Sequence, residues 1–430
     1  MDLCRDSKPG FTYPKNILKW SRYSFFTEID DGVLVFSLLS FSMVYFSDTV
    51  LSEVKSFEFN YSQNDIINLF RMRYLDADDK ETIDGFIEKN RKNRVKETYG
   101  IFTTRACNAR CYYCFQDGMI KSFMNREIAE KTAEFIMQTH KNEDYRIHWF
   151  GGEPLVNTEA IDTVCTVLNS YEQKYHSTMS SNGYLFDRNL ISRARKEWKL
   201  EKVQIPIDGT EEKYNSIKNY IDSSENPYKR VMNNIHMLLE NGVNVSVRLN
   251  LSLVNARDMI SLAEQLKDIR SVNKNISAYI HLLYEYDDQT SETNKSTLLY
   301  YYNILNGILY DSDLYRGELP NGFSFVCCMA DSEKCFTVMP DGSIGKCEHH
   351  DEKLSVGNIY DGLTKIQLAD SFKTHELNER CSSCMFYPIC KILKICEIRK
   401  CTILQTDTWK IDLKYSMLKL YKNWKYADKH

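Results

Sequence analysis

The strongest constraint on the fold of this chain is a regular alternation of strand-like and helix-like segments between residues 98 and 310. Hydrophobic periodicity predicts strands at 99–104, 145–150, 177–181, 202–207, 243–250 and 277–284. It predicts helices near 125–140, 158–175, 187–198, 228–241, 256–268 and 294–310. Consecutive strand–helix units form a parallel sheet with helices outside it, and a full TIM barrel has eight such units. The sequence therefore predicts an α/β fold whose centre, residues 96–315, is a partial (β/α)6 TIM-like barrel.

Two units of different character flank the predicted barrel. Residues 1–95 are expected to form a small separate α+β domain that contains a hairpin, because the turn pair Asp31-Gly32 separates two strand-like runs. Its predicted elements are strands at Phe25–Ile29, Val33–Leu39 and Phe41–Phe46 and helices at 62–72 and 79–94. Residues 316–430 form the third unit, which we expect to be irregular and Cys-rich and to end in an amphipathic helix from Trp409.

Cysteine content narrows the function further. The chain has fourteen cysteines, and it shows neither a signal-peptide pattern nor an apolar run long enough to span a bilayer. We therefore expect a cytoplasmic protein, and in that reducing compartment clustered cysteines indicate metal binding rather than disulfides. The net charge of −4 gives no argument for a nucleic-acid partner or a membrane surface.

The first cysteine cluster, Cys107, Cys111 and Cys114, follows the first predicted barrel strand. Thiolates are soft ligands that suit iron–sulfur clusters or zinc. Three thiolates leave one iron of a four-iron cubane free to bind a small molecule, whereas a structural zinc site is closed by a fourth ligand. A zinc site completed by His148 is the alternative at this point.

This Cys-x3-Cys-x2-Cys spacing, with the aromatic Phe115 after the third cysteine, resembles the radical S-adenosylmethionine (SAM) superfamily. The resemblance implies an oxygen-sensitive enzyme in which these cysteines hold a [4Fe-4S] cluster and the open iron binds SAM. Further motifs follow successive strands, where parallel barrels place their active sites. They are Gly151-Gly152-Glu153, Ser181-Asn182, Asp208 and Arg248. In the family, such motifs contact the amino group, ribose and carboxylate of SAM, so we expect these residues to bind the cofactor.

The second cysteine cluster contains nine cysteines from Cys327 to Cys401 and resembles the SPASM extension of peptide-modifying radical SAM enzymes. That resemblance implies two auxiliary [4Fe-4S] clusters, three in all. We expect the first to be held by Cys328, Cys335, Cys347 and Cys396 and the second by Cys381, Cys384, Cys390 and Cys401. The five-residue gap after Cys390 departs from the family spacing, and a pair of zinc ribbons is the alternative. Glu348 occupies the place of a catalytic Asp in the sulfatase-maturing members, so it is a candidate catalytic base.

The N-terminal unit resembles a RiPP recognition element, which implies a small winged-helix-like domain that binds the leader of a ribosomally made peptide as an added strand. The candidate edge for this pairing is Phe41–Phe46. The combined resemblance implies a peptide maturase that forms a thioether, a carbon–carbon link or a related modification and takes electrons from a flavodoxin or ferredoxin. The alternatives are a sulfatase-maturase-like enzyme that makes formylglycine from Ser or Cys, and a non-enzymatic multi-cluster electron carrier.

Overall fold

The structure, a computed structural model, describes residues 19–40, 42–47, 75–76, 96–141, 144–222, 224–283, 285–317, 328–349, 354–372, 379–390, 396 and 401–427. The predicted helices at 62–72 and 79–94 lie outside these residues. No described helix has both the length and the apolar character that crossing a membrane requires.

Three antiparallel strands form a separate small sheet in the N-terminal unit, in the order β2–β3–β4. The strands of this unit are β1 (Lys19–Trp20), β2 (Ser24–Ile29), β3 (Gly32–Ser37), β4 (Ser42–Ser47) and β5 (Leu75–Asp76), of which β1 and β5 pair with each other. The turn between β2 and β3 lies at Asp31-Gly32, where the sequence predicts it. The predicted three-stranded sheet is therefore confirmed.

Six parallel strands form the central sheet, in the order of the chain. They are β6 (Thr98–Phe102), β7 (Tyr145–Phe150), β8 (Tyr175–Ser180), β9 (Leu200–Ile207), β10 (Asn244–Leu251) and β11 (Ile276–Leu282). The helices between and after them are α1 (Arg126–Thr139), α2 (Thr158–Ser170), α3 (Arg188–Lys196), α4 (Glu211–Lys218), α5 (Pro227–Glu240), α6 (Asp258–Val272) and α7 (Glu292–Asp311). The predicted partial barrel is confirmed, with one helix, α4, that the periodicity does not predict.

The C-terminal unit extends the barrel sheet instead of forming a separate layer. Its strand β12 (Cys335–Val338) pairs in parallel with β6, and three short antiparallel strands follow in order. These strands are β13 (Ser343–Gly345), β14 (Gly357–Asn358) and β15 (Gly362–Leu363), and the unit also contains helices α8 (Ile366–Ser371) and α9 (Ile403–Ala427). The predicted terminal helix is present but begins six residues before Trp409. The short strands escape prediction because segments of two to four residues carry no readable period.

Alternation along the barrel strands separates an apolar outer face from a polar inner face. On β7, Tyr145, Ile147 and Trp149 are fully buried against the helices, while Arg146 and His148 between them are only partly buried. Successive side chains of a strand point to opposite faces, so the second set points into the barrel. The inner surface is therefore built for a polar ligand rather than for a packed core.

The N-terminal sheet packs against the C-terminal helix. Leu34 and Phe36 of β3 share a buried apolar cluster with Met417 of α9 and with Phe386, which precedes Cys390. At the edge of this contact, the Lys425 ammonium lies 2.7 Å from a carboxylate oxygen of Asp31. The first and last parts of the chain thus form one hydrophobic core beside the barrel.

We expect Leu34→Ala to lower the free energy of unfolding by about 2–5 kcal/mol, because it opens a cavity in this shared core. Ile120→Ala is the matched control: it removes a side chain of similar size that is 87% exposed and should change stability by about 0.5 kcal/mol or less. Urea denaturation of the intact chain measures both. Equal effects of the two substitutions would contradict a shared core.

Candidate active site

The loop after β6 is fastened to the loop after β7 by backbone hydrogen bonds. The N–H of Gly152 donates to the Thr104 carbonyl and the N–H of Glu153 donates to the Ala106 carbonyl, both at 2.9 Å. Gly151 has φ +147°, and a Cβ on Gly151 or Gly152 would overlap a carbonyl oxygen of the neighbouring loop. The glycines are therefore required for the close approach of two backbones, which is a role in addition to the expected contact with SAM.

Cys107, Cys111 and Cys114 lie together in this loop as free, half-buried thiols. Burial raises the pKa of Cys107 to about 11, and the neighbouring charges of Glu153, Cys111 and Cys114 add to the shift. Among the residues with a described position, no three His, Cys, Asp or Glu side chains converge on a single metal ion. A cluster offers a different iron to each thiolate, so its ligands need not converge. The three soft donors therefore fit an iron–sulfur cluster better than the zinc site considered above.

His148 does not point to a thiol. Its ring nitrogens lie 2.8 Å from Thr178 Oγ1 and 3.0 Å from Ser180 Oγ, on the inner face of the next strand. Burial lowers the pKa of His148 to about 4, so the ring is neutral near pH 7. The hydrogen bonds of both nitrogens argue against His148 as a fourth ligand.

Glu153 joins the ends of two barrel strands. Its buried carboxylate accepts hydrogen bonds from the Ser181 hydroxyl at 2.8 Å, the Asn182 N–H at 2.7 Å and the Leu155 N–H at 3.2 Å. Burial raises the pKa of Glu153 to about 7, against the opposing effect of these donors. Asn182 in turn donates to the Asn108 side chain at 2.7 Å, inside the cysteine loop. Three of the predicted strand-end residues thus meet beside Cys107.

Asp208, at the end of β9, anchors the other side of the cysteine loop. Its fully buried carboxylate accepts from the Tyr113 hydroxyl at 2.9 and 2.8 Å and from Asn250 at 2.9 Å. It also forms an ion pair of 2.9 Å with Lys218, whose ammonium donates to Tyr113 at 3.0 Å. Burial is the largest single effect and disfavours the charge on Lys218, but Asp208, Tyr113 and Cys111 together outweigh it and raise the pKa of Lys218 well above its usual value. Tyr113 lies between two of the cysteines, so this network holds the loop directly.

Sequence reasoning misses Lys218. It is the last residue of α4, and its backbone carbonyl accepts the N–H of Arg110 in the cysteine loop at 2.9 Å. One signal was available: Tyr214, Ile217 and Lys218 follow the spacing of a buried helix face, which places a lysine where an apolar residue is expected.

The remaining predicted residues, Phe115, Arg248 and Glu348, lie on three different segments of the chain. Phe115 lies 4.2 Å, ring to ring, from His349 and stacks on Phe150. Arg248 lies on the inner face of β10, and its buried Nε has no hydrogen-bond partner among the residues that the structure describes. Glu348 is close enough to His148 to raise its pKa against the effect of burial, so it lies near the inner face of β7.

The C-terminal cysteines fall into neighbouring groups. Cys328 and Cys396 are close enough to Cys347 to raise its pKa, although burial is the larger cause. Likewise, burial raises the pKa of Cys401, and the nearby Cys384 and Cys381 add to this increase. Cys335 is separate in its contacts: it is buried at the start of β12, and its thiol lies 3.6 Å from the Lys96 carbonyl. Cys390 ends a single helical turn, and its N–H donates to the Tyr387 carbonyl.

Comparison with known families agrees with this geometry. A family model described as the Radical SAM superfamily matches residues 101–266, from β6 into α6. The barrel is a radical SAM domain. Domains of this superfamily use SAM and an iron–sulfur cluster, and the predicted recognition is confirmed for these residues.

Two relatives match different shares of the chain. The radical SAM cyclopropyl synthase TigE of Paramaledivibacter caminithermalis is 23% identical over 390 residues, 80% of this chain and 79% of that protein. A probable GTP 3′,8-cyclase of Archaeoglobus fulgidus is 26% identical over 188 residues, 43% of this chain and 59% of that protein. The longer match extends beyond the barrel, whereas the shorter one spans less than half of the chain.

Two solved structures share the fold. That of anSMEcpe with bound AdoMet has a TM-score of 0.61 and 17% identity, and the match covers 76% of this chain and 98% of that one. That of Streptococcus suis SuiB bound to the precursor peptide SuiA has a TM-score of 0.50 and 14% identity, and the match covers 87% and 95%. At these identities the similarity establishes the fold.

We expect Lys218→Met to lower the stability of this radical SAM enzyme by about 3–5 kcal/mol, because it leaves the Asp208 carboxylate buried without its counter-ion. The double variant Asp208→Asn/Lys218→Met removes both charges and should be more stable than the single variant. Chemical denaturation under anaerobic conditions measures both. A double variant that is less stable than Lys218→Met would show that the two charges do not act as a pair.

Proposed function

We propose that this radical SAM enzyme is a maturase of a ribosomally made peptide and installs a thioether, a carbon–carbon link or a related modification. One observation carries the proposal: the radical SAM barrel is joined to an N-terminal sheet whose strand β4 pairs with β3 alone among the described residues. A free strand edge can bind an extended peptide through main-chain hydrogen bonds. An enzyme for a small metabolite has no use for such an edge.

The relatives support a peptide substrate. SuiB, whose structure contains a precursor peptide, matches 87% of this chain. In the proposal, Cys107, Cys111 and Cys114 hold the SAM-binding cluster. Two auxiliary clusters are held by the eight C-terminal cysteines that the sequence assigns to them. When bound, the reduced cluster and SAM supply a 5′-deoxyadenosyl radical that abstracts hydrogen from the peptide.

The residues of the barrel prepare the site for that chemistry. Glu153 has acceptor capacity beyond its three donors and is placed to bind the SAM ammonium. Among the described residues, the buried Nε of Arg248 and Oδ1 of Asn250 on the inner face have no hydrogen-bond partner, and buried polar atoms normally have one. They are suited to the carboxylate and hydroxyl groups of the cofactor. Phe115 shields the open side of the loop.

Glu348 supports a second candidate, oxidation of a Ser or Cys to formylglycine. Its carboxylate lies near the inner face of the barrel beside His148, where a general base would reach a bound substrate. The fold of anSMEcpe, whose structures include one with the Kp18Cys peptide, matches 76% of this chain. This reaction would convert one residue in place and form no crosslink.

Reconstituted enzyme, SAM and dithionite incubated with the short peptides encoded beside its gene should modify one of them. A crosslink removes a pair of hydrogen atoms, which mass spectrometry of the intact peptide detects, and fragmentation locates the link. The control Cys107/Cys111/Cys114→Ala should lose about four of about twelve irons and all SAM cleavage. Conversion of a single Ser or Cys without a crosslink would transfer support to the second candidate.

A separate experiment tests whether the outer edge of β4 binds the peptide. Successive residues of a strand direct their N–H groups to opposite edges of that strand. Of the two substitutions Met43→Pro and Val44→Pro, one therefore removes a donor from the outer edge of β4 and leaves the β3–β4 ladder intact, whereas the other removes a donor from the ladder. The variant that retains the wild-type melting temperature should bind a fluorescein-labelled precursor peptide at least tenfold more weakly, with unchanged SAM cleavage. Unchanged peptide binding by that variant would exclude β4 as the docking edge.

A further inference from the structure

The inner face of the barrel carries three cations near the N-terminal ends of its strands. Arg146 lies at the start of β7 and Lys202 at the start of β9, each between residues whose side chains pack outward. Arg316 follows α7 and lies beside β11, where its N–H donates to the Ala278 carbonyl and its guanidinium carbon is 5.3 Å from the centre of the Tyr279 ring. We call Arg146, Lys202 and Arg316 the basal cation group. They lie at the end of the barrel opposite the cysteine loop.

The basal cation group lacks an acidic partner among the residues that the structure describes. Within the described residues, no carboxylate forms an ion pair or hydrogen bond with any of its three members. Two acidic residues at the same end, Asp144 and Glu201, instead pair with His176 at 3.2 and 2.6 Å. Burial lowers the pKa of Lys202 to about 8, and the charges of Arg316 and Arg146 contribute to the shift. Three mutually repelling cations cost stability unless an anion joins them.

A buried hydroxyl beside the group also lacks a partner. Ser246 is 0% exposed, and its Oγ has no hydrogen bond among the residues that the structure describes. It lies on the inner face of β10, two residues after Asn244, which is the register partner of Lys202. Gln204, the register partner of Ser246 on β9, instead accepts a hydrogen bond of 2.6 Å from the Tyr279 hydroxyl. A fully buried hydroxyl is normally hydrogen-bonded, so Ser246 Oγ is available to a water molecule or to a ligand atom.

We propose that the basal cation group and Ser246 bind a carboxylate of the peptide substrate and thereby fix which residue reaches the radical. The proposal rests on the proposed function and names a specificity determinant of the same barrel. Guanidinium groups bind carboxylates through two parallel hydrogen bonds, and a lysine adds a point charge. An acidic side chain and a C-terminal carboxylate present the same chemistry to this group.

The barrel length limits where that carboxylate lies in the substrate. Lys202 and Asp208 are six positions apart along β9, which corresponds to about 20 Å of strand. An extended peptide covers that distance in roughly six residues. The anchoring carboxylate is therefore expected about five or six residues from the residue that is modified.

The test uses three N-acetylated tripeptides as probes: Glu-Glu-Glu-amide, Gln-Gln-Gln with a free C-terminus, and Gln-Gln-Gln-amide. The intact enzyme is acetylated with a limiting amount of acetic anhydride at pH 8, and mass spectrometry gives the rate at each lysine. A bound carboxylate stabilises the charged form of Lys202, so acetylation should slow by roughly threefold to tenfold. The Glu probe reports side-chain carboxylates, and the free Gln probe reports a C-terminal one.

The controls make the result specific. Lys267 is exposed on α6 beside Glu264, and its acetylation should not change with any probe. Arg146→Met should abolish the protection of Lys202 by the carboxylate probes. Equal protection by Gln-Gln-Gln-amide, or no protection by any probe, would overturn the proposal.

A kinetic experiment separates this inference from the proposed function. Once a peptide is turned over by the wild-type enzyme, Lys202→Met should raise its KM at least tenfold with little change in kcat, and Lys267→Met should not. Turnover that is indifferent to Lys202 would refute the basal cation group while leaving the maturase intact. Absence of peptide turnover, with Lys202 still protected by a carboxylate probe, would count against the maturase alone.

Discussion

The buried ion pair between Asp208 and Lys218 is the interaction on which the active-site geometry depends. It lies beneath the cysteine loop and takes the hydroxyl of Tyr113 into its hydrogen-bond network, so the loop cannot move without breaking contacts to two charges. Buried charges tolerate little displacement, because a displaced charge loses the contacts that offset the cost of its desolvation. On the opposite side, Glu153 performs the same task with backbone and hydroxyl donors. The loop is thus held between two carboxylates that are both already partnered by the protein.

This arrangement explains why the strand-end residues serve two purposes. Glu153, Ser181 and Asn182 make a connected set of hydrogen bonds without any cofactor, and they still retain donor and acceptor capacity toward the barrel interior. A site that is already ordered loses less conformational freedom when a ligand binds. Pre-organisation of this kind places the cofactor-facing atoms before the cofactor arrives.

The sequence predicts the barrel well because alternation of apolar residues is itself the signal of a strand packed between helices and an inner cavity. Glycines and polar residues after those strands were found by the same logic, since all C-terminal strand ends of a parallel barrel share one rim. What could not be predicted depends on contacts between distant segments. The ion pair of Lys218 with Asp208, the proximity of Glu348 to His148 and the pairing of Cys335 with the first barrel strand have no local signature. For Lys218, the helical spacing indicates a buried position but does not identify its partner. The packing of the N-terminal sheet on the terminal helix is of the same kind, because neither amphipathic face identifies its partner.

That packing has a consequence for synthesis of the chain. Thr27 in β2 contacts Met417 in α9, 390 positions later, so the apolar face of the first sheet has no covering until the last helix leaves the ribosome. At the usual pace of translation, the roughly 380 intervening residues take on the order of 20–80 s. During that interval the nascent sheet is an aggregation hazard with an uncovered face and a free edge. Cys381 precedes Met417 by only 36 positions, so at the same rate this core can cover the Cys381–Cys390 segment roughly 2–7 s after that segment is made.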